Sequence, residues 1–296
     1  MTTLRLGTRR SPLAMAQARH VADLLGHVGV DCEIVAVDTS GDRRRDVPLA
    51  ILGGQGVFAV EIQRALATGE VDAAVHSAKD LPSATPPGLV LACVPERRDA
   101  ADVLVGRSLA GLGPGSIVAT GSPRRRALLL ERRPDLKVVE LRGNMATRLA
   151  RAGDDVDAIV AAAAALERLG ESARVAERLD PTWFVPQVGQ GAIAVEARED
   201  DEIALRALVG IDDALAHAAL RCERAFLATL GTGCSVPAGA YATASADGVS
   251  VRGVMLAIDG SSSVREEMTG SDPEDVGATL ARVLADDRGG RALAGW

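Results

Sequence analysis

L-R-L-G-T-R-R-S-P-L-A-M-A-Q-A-R-H-V-A-D-L-L-G-H-V-G-V-D-C-E-I-V-A-V-D-T, residues 4–39, reads as strand, helix, strand. Residues 4–8 and 33–39 are short β-rich runs, and the spacing over 12–25 is helical. Ser11 and Pro12 open that helix soundly: serine can cap a free N–H, and proline sits where no N–H is needed. Such alternation predicts an α/β architecture with a mostly parallel sheet. Outward from it, residues 57–68 are helical in spacing, while 71–76 and 89–94 are short apolar runs. The pattern restarts at 101, with β-rich runs at 103–105, 116–120, 137–141 and 157–162 and helices over 123–132 and 145–151. This is a second α/β unit. After Gly189-Gln190-Gly191, residues 192–197 alternate like a strand, 200–208 read as a helix, and a junction falls at 211–213. A long helix over 214–230, strand-like runs over 238–244, 249–258 and 263–269, and a helix over 273–284 predict a small α+β domain. Three domains fit better than two.

The 296 residues are 47% hydrophobic, ample for more than one core at ~150 residues per domain. No apolar run approaches the ~18 residues of a membrane helix, and residues 1–10 lack the apolar stretch of a secretory leader, so a cytoplasmic protein is expected. The four cysteines, Cys32, Cys93, Cys222 and Cys234, form no C-x-x-C pair, which argues against a zinc site or a disulfide scaffold. A net charge of −7 argues against a coat for nucleic acid. Basic residues are nonetheless concentrated. Residues 1–19 carry Arg5, Arg9, Arg10 and Arg19 with no acid, and 117–148 carry eight basic groups against three acids. Only Lys79 and Lys137 are lysines, and guanidinium is the better bidentate partner for a carboxylate.

The two α/β units share a local signature. Arg9 and Arg10 precede Ser11-Pro12, and Arg124, Arg125 and Arg126 follow Ser122-Pro123. A helix N-terminus offers free N–H groups and partial positive charge, so two such starts facing one another would make an anion cleft. L-R-G-N-M-A-T-R, residues 141–148, adds Arg142 and Arg148 near another helix start. A-V-H-S-A-K-D, residues 74–80, sets His76, Ser77, Lys79 and Asp80 at the C-terminal end of a strand, the edge where α/β sheets bind ligands. G-G-Q-G-V-F (53–58) and V-G-Q-G-A (188–192) lack the strand, G-x-G-x-x-G, helix order of a dinucleotide loop. G-T-G-C-S-V-P-A-G, residues 231–239, holds Cys234 in a glycine loop, where a thiol can be a nucleophile or an attachment point. Nothing pairs it with a histidine as a hydrolase requires.

Together and in this order, these segments, with V-D-T-S-G-D (37–42), resemble the porphobilinogen deaminase (hydroxymethylbilane synthase) family over essentially the whole chain. The resemblance implies two periplasmic-binding-protein-like α/β lobes plus a small α+β C-terminal domain, with boundaries 1–94 and 191–211, 95–190, and 212–296. It implies a dipyrromethane cofactor joined by a thioether to Cys234, a catalytic Asp80, and cofactor contacts from Ser77, Lys79, Ser122, Arg124, Arg125 and Arg148. Arg9, Ser11, Gln17, Arg142 and Gln190 fall to substrate. The implied reaction joins porphobilinogen units with loss of ammonia and releases hydroxymethylbilane. A monomer is expected, with no metal, nucleic acid or membrane partner. The chemistry agrees: each porphobilinogen brings an acetate and a propionate, which suit arginines at helix starts. Arg9→Ala and Arg125→Ala are therefore expected to impair assembly while leaving unfolding nearly unchanged. The chain departs from the family at Gln55 and at Ala59-Val60, where many members have lysines. The alternative is a non-catalytic cytoplasmic anion sensor of the same two-lobed fold; Asp80 and the Cys234 loop argue against it.

Overall fold

The computed structural model describes residues 3–38, 59–231 and 236–295. Gln55, Cys234 and the runs 37–42 and 53–58 thus fall wholly or partly outside the described residues. The first lobe holds β1 (Leu4–Arg9), α1 (Pro12–His27), β2 (Cys32–Val37), α2 (Val60–Ala67), β3 (Ala73–Ser77) and β4 (Leu89–Cys93). The second holds β5 (Asp102–Gly106), β6 (Ile117–Ala119), α3 (Pro123–Arg132), β7 (Lys137–Val139), α4 (Met145–Arg151), β8 (Ala158–Ala162), α5 (Ala163–Arg168) and β9 (Val175–Arg178). The chain then returns to the first lobe with β10 (Ile193–Arg198) and α6 (Glu202–Val209).

Both sheets follow one plan. The first is ordered β2-β1-β3-β10-β4 and the second β7-β6-β8-β5-β9. In each, a single strand runs against the others, β10 between β3 and β4 and β5 between β8 and β9. Each of these odd strands directly follows a segment that crosses between lobes, 94–101 on the way out and 179–192 on the way back. The repeated Ser-Pro signature forms matching helix starts: Ser11 Oγ accepts from Ala14 N at 3.3 Å, and Ser122 Oγ from Arg125 N at 3.4 Å.

The third domain packs α7 (Ala214–Leu230) and α8 (Pro273–Arg282) on the antiparallel sheet of β11 (Ala238–Ser245), β12 (Gly248–Leu256) and β13 (Ser263–Gly270), with α9 (Gly290–Ala294) closing the chain. Phe226, Val251, Met255, Leu280 and Leu284 centre its core. Asp213 caps α7 by accepting from Leu215 N and Ala216 N, and Gly231 ends it in the left-handed conformation that glycine adopts without strain.

A buried ion pair ties this domain to both crossing segments. Glu223 on α7 accepts from Arg97 Nη1 at 2.6 Å and Ala242 N at 2.8 Å through one oxygen, and from Gly189 N at 2.6 Å through the other. Arg97 Nε and Nη2 also donate to the Gln190 carbonyl at 3.0 and 2.8 Å. Glu223→Gln keeps the shape and removes the charge from this junction. It is expected to cost about 1.5–3 kcal/mol, the worth of hydrogen bonds to an ionised group. Urea unfolding measures this, and an unchanged midpoint would show the pair to be energetically idle.

Candidate active site

β3 ends at Ser77, and one tight turn, Ala78–Asp80, carries the chain off the sheet. Alternation along the strand sends its side chains to opposite faces. Ser77 Oγ donates to Gln17 Oε1 on α1 at 2.9 Å. His76 turns the other way, with Nε2 3.3 Å from Glu196 on β10, and Gln63 on α2 donates to both Glu196 oxygens. His76 is thus packed behind the sheet, apart from the Asp80 turn.

The returning segment lies directly against that turn. Gly189 has φ +73°, and a Cβ there would come within 2.8 Å of Ala78 C and 2.9 Å of Lys79 N. Gly191, at φ +87°, would place a Cβ 2.4 Å from the Arg98 carbonyl. The glycines of V-G-Q-G-A therefore serve close approach of backbone to backbone. Gln187 Nε2 donates to the Lys79 carbonyl at 3.3 Å, and Lys79 Nζ donates to Gln190 Oε1 at 3.4 Å.

Lys79 and Asp80 from the first lobe meet Arg125 and Arg148 from the second. Burial, then the charges of Arg125 and Arg148, pull the half-buried Lys79 ammonium down to about 8 against the opposing pull of Asp80 and Asp102. Burial, then Arg125, also lowers Arg148, while Asp80 and Glu140 act to raise it. Asp80 thus acts on cations of both lobes. The Arg148 Nε donates to the Gly143 carbonyl at 2.8 Å.

The other expected residues divide. Ser11 and Ser122 sit at their helix starts as caps, and Arg9 is half-buried at the end of β1. Gln17 is buried and engaged with Ser77, so it supports the site from within. Arg142 is exposed, its Nε 3.6 Å from Glu140. Three residues depart from the expectation. Arg124 and Arg125 are 3% and 9% exposed, and both bind the fully buried Asp102, at 2.7 and 2.6 Å. Arg124 also donates to the Val185 carbonyl, and Arg125 to the Val160 carbonyl. They are not solvated arginines, and stripping Arg125 from a buried carboxylate must destabilise the fold. The expectation that Arg125→Ala leaves unfolding nearly unchanged is corrected accordingly. Gln190, read as a substrate contact, is fully buried with its amide committed to Ala100, Asp102, Lys79 and Arg125. It reaches the cleft only through those cations.

Asp102, Arg97 and Glu223 escaped the sequence reading. Asp102 carried one signal, an acid at the head of an apolar run, which demands a basic partner once the strand is buried.

The residues present fit a carboxylate-rich group. Asp102 is matched by Arg124 and Arg125, which leaves Lys79 and Arg148 as cations that share the acid Asp80. Burial, and after it the charges of Arg125 and Arg148, lower Lys79, which marks a water-poor place where cations have gathered. Leu230 and Val236, which flank residues 231–235, share a core with Val188, two residues before Gln190.

A family model described as "Porphobilinogen deaminase, dipyromethane cofactor binding domain" matches residues 4–206, and one for the same family's C-terminal domain matches 217–286. A porphobilinogen deaminase of Roseiflexus sp. (strain RS-1) is 47% identical over 299 residues, covering 98% of each chain. That of Syntrophotalea carbinolica is 44% identical over 301 residues, covering 99% of this chain and 96% of the relative. That of Bacillus subtilis (strain 168) is 41% identical over 294 residues, covering 97% and 94%. Among solved structures, an ABC transporter periplasmic substrate-binding protein from Coxiella burnetii aligns with 75% of this chain and 97% of its own, at 19% identity and a TM-score of 0.42. The two-lobed description rests on the strand orders above, which need no support from so distant a likeness.

Proposed function

The chain belongs to the porphobilinogen deaminase family, and from that premise we propose how its own residues carry the family's reaction. It is a transferase of porphyrin and haem synthesis, condensing four porphobilinogen molecules with loss of ammonia and releasing linear hydroxymethylbilane by hydrolysis, water supplying the hydroxyl. Its cofactor is dipyrromethane, which supplies a free pyrrole α-carbon for the first addition, together with carboxylates. The anion-sensor alternative is not retained.

In this reading Asp80 accepts a hydrogen bond from the pyrrole N–H of the reacting ring. Its fixed charge offsets the positive charge that develops as the substrate's aminomethyl nitrogen departs. The same carboxylate assists the proton transfer that restores the ring after the new bond forms. Lys79, Arg125 and Arg148 hold acetate and propionate groups of the growing chain, and Ser122 orients them. Arg9, Ser11 and Arg142 receive the incoming substrate, with Ser77 and Gln17 fixing the turn. Cys234 is the attachment point. A monomer in the cytoplasm, with neither nucleic acid nor membrane as partner, completes the proposal; the net charge of −7 is in keeping with it.

One arrangement carries the reading: the turn that bears Lys79 and Asp80 is joined to the other lobe through Gln190, whose Oε1 lies 3.4 Å from Lys79 Nζ and 3.3 Å from Arg125 Nη2. The test is incubation of purified protein with porphobilinogen, following ammonia release and the mass of the enzyme-bound ladder. A chain that releases no ammonia while carrying its cofactor would sink the proposal. Arg148→Ala removes a charge-assisted contact to the growing chain worth about 1.5–3 kcal/mol, so the steps of chain extension are expected to slow roughly ten- to two-hundred-fold. Thermal unfolding should barely move, because this side chain is only half-buried. Extension at the normal rate would remove Arg148 from the binding face.

A further inference from the structure

Asp102 and Gln190 stand on the two segments by which the chain passes between lobes. Asp102 begins β5 at the end of the outgoing segment, and Gln190 lies near the end of the returning one. Both side chains are 0% exposed. The Gln190 amide nitrogen donates to the Ala100 carbonyl and to Asp102 Oδ1, each at 2.8 Å, so both its hydrogens are used. Turning the amide over would set its oxygen against a carbonyl and a carboxylate, which fixes its orientation. Gln190 Oε1 is thereby held toward two cations, Lys79 Nζ at 3.4 Å and Arg125 Nη2 at 3.3 Å. Asp102 Oδ1 grips the same Arg125 through Nε at 3.0 Å and Nη2 at 2.6 Å.

Resting on the reading that Lys79, Asp80 and Arg125 form the reaction centre, we infer that Asp102 is a positioning residue for the reaction. It touches no reacting group. Through Gln190 and Arg125 it sets where Lys79 stands beside Asp80 and keeps Lys79 charged.

The surroundings of Lys79 give the inference its direction. Arg125 on α3 and Arg148 on α4 favour its neutral form; Asp80 on its own turn and Asp102 on β5 favour the ammonium. Burial disfavours ionisation of Asp102, but Arg124, Arg125 and the Gln190 amide overcome this and hold its carboxyl at about 2. It is therefore a constant negative charge throughout the working pH range. Deleting that charge leaves Arg125 unopposed beside Lys79. Lys79 should then lose its proton at lower pH, and with it the grip on a substrate carboxylate.

The chain supplies its own readout, because Lys79 and Lys137 are its only lysines. In holoenzyme labelled with ¹³C at lysine Cε, the exposed Lys137 serves as an internal reference. Asp102→Asn is expected to lower the Lys79 midpoint by about one unit while Lys137 stays put, as loss of a nearby opposite charge requires. The alkaline limb of the kcat profile should move the same way. A role confined to folding would lower stability and leave the Lys79 midpoint where it was, and that result in folded Asp102→Asn overturns the inference. Should that variant fail to fold, Gln190→Met decides: it keeps volume and the Asp102 charge but removes Oε1. A fall in the Lys79 midpoint then supports the relay, and an unmoved one overturns it. These titrations need no turnover, so they stand or fall apart from the assignment of Asp80, which the Asp80→Asn kinetics test separately.

Discussion

Asp80→Asn is expected to lower turnover on the order of 10² to 10³-fold or more, by analogy with removing one preorganised electrostatic contact from a transition state. Asparagine keeps the size and the hydrogen bond to a pyrrole N–H, so binding should largely survive. What it removes is the negative charge that Lys79 of the same turn and Arg148 of the other lobe have in common. The loss should therefore appear in the steps where positive charge develops on the ring. Asp80→Glu keeps the charge but moves it by one methylene, so it should retain more activity and accumulate partly extended chains. Single-turnover kinetics with mass spectrometry of the bound ladder, on protein confirmed to hold its cofactor, separates these outcomes. An Asp80→Asn enzyme that climbs the ladder at the wild-type rate would show the charge to be dispensable.

Cys234→Ser is expected to abolish cofactor attachment and with it essentially all turnover, while leaving the protein folded. The other three thiols offer no substitute. Burial pushes Cys93 far above its usual range and Cys222 up to about 12, and it raises Cys32 as well. A thiol held in its protonated form is a poor nucleophile. Cys32→Ser, Cys93→Ser and Cys222→Ser should each keep a full complement of dipyrromethane. Intact mass and the colour reaction with an aldehyde reagent measure it. Normal cofactor content in Cys234→Ser would end the assignment.

Much of this fold was open to reading from residues alone because its signals are local. The two Ser-Pro starts formed as caps, and the long apolar periodicity over 214–230 became α7 with matching bounds. β9 was missed because V-A-E-R has too little alternation, and α5 because A-A-A-L-E-R is a turn and a half against a strand end. The insertion of β10 between β3 and β4 has no local signal at all, since strand order depends on contacts about 100 residues or more apart in sequence. The site was legible in the same uneven way. A-V-H-S-A-K-D announced its strand edge. Arg124 and Arg125 looked like free cations because charge is visible in a sequence and its distant partner is not. Asp102 stands more than twenty positions before them, and only the crossing of β5 into the middle of the second sheet brings it beneath their helix.

That crossing also sets an order of events on the ribosome. Every strand of the second sheet lies between Asp102 and Arg178, so this lobe is complete in one uninterrupted stretch of synthesis. The first sheet, begun earlier, still lacks β10 at that moment. β3 and β4 then face one another across a missing strand, each with an unpaired edge open to any extended segment nearby. The N-terminal lobe is the last of the two to close, contrary to the usual sequence in which the segment made first folds first. Asp80 emerges early, but β3, which ends just before its turn, is paired on one side only, with β1, until the chain has been extended through Arg198.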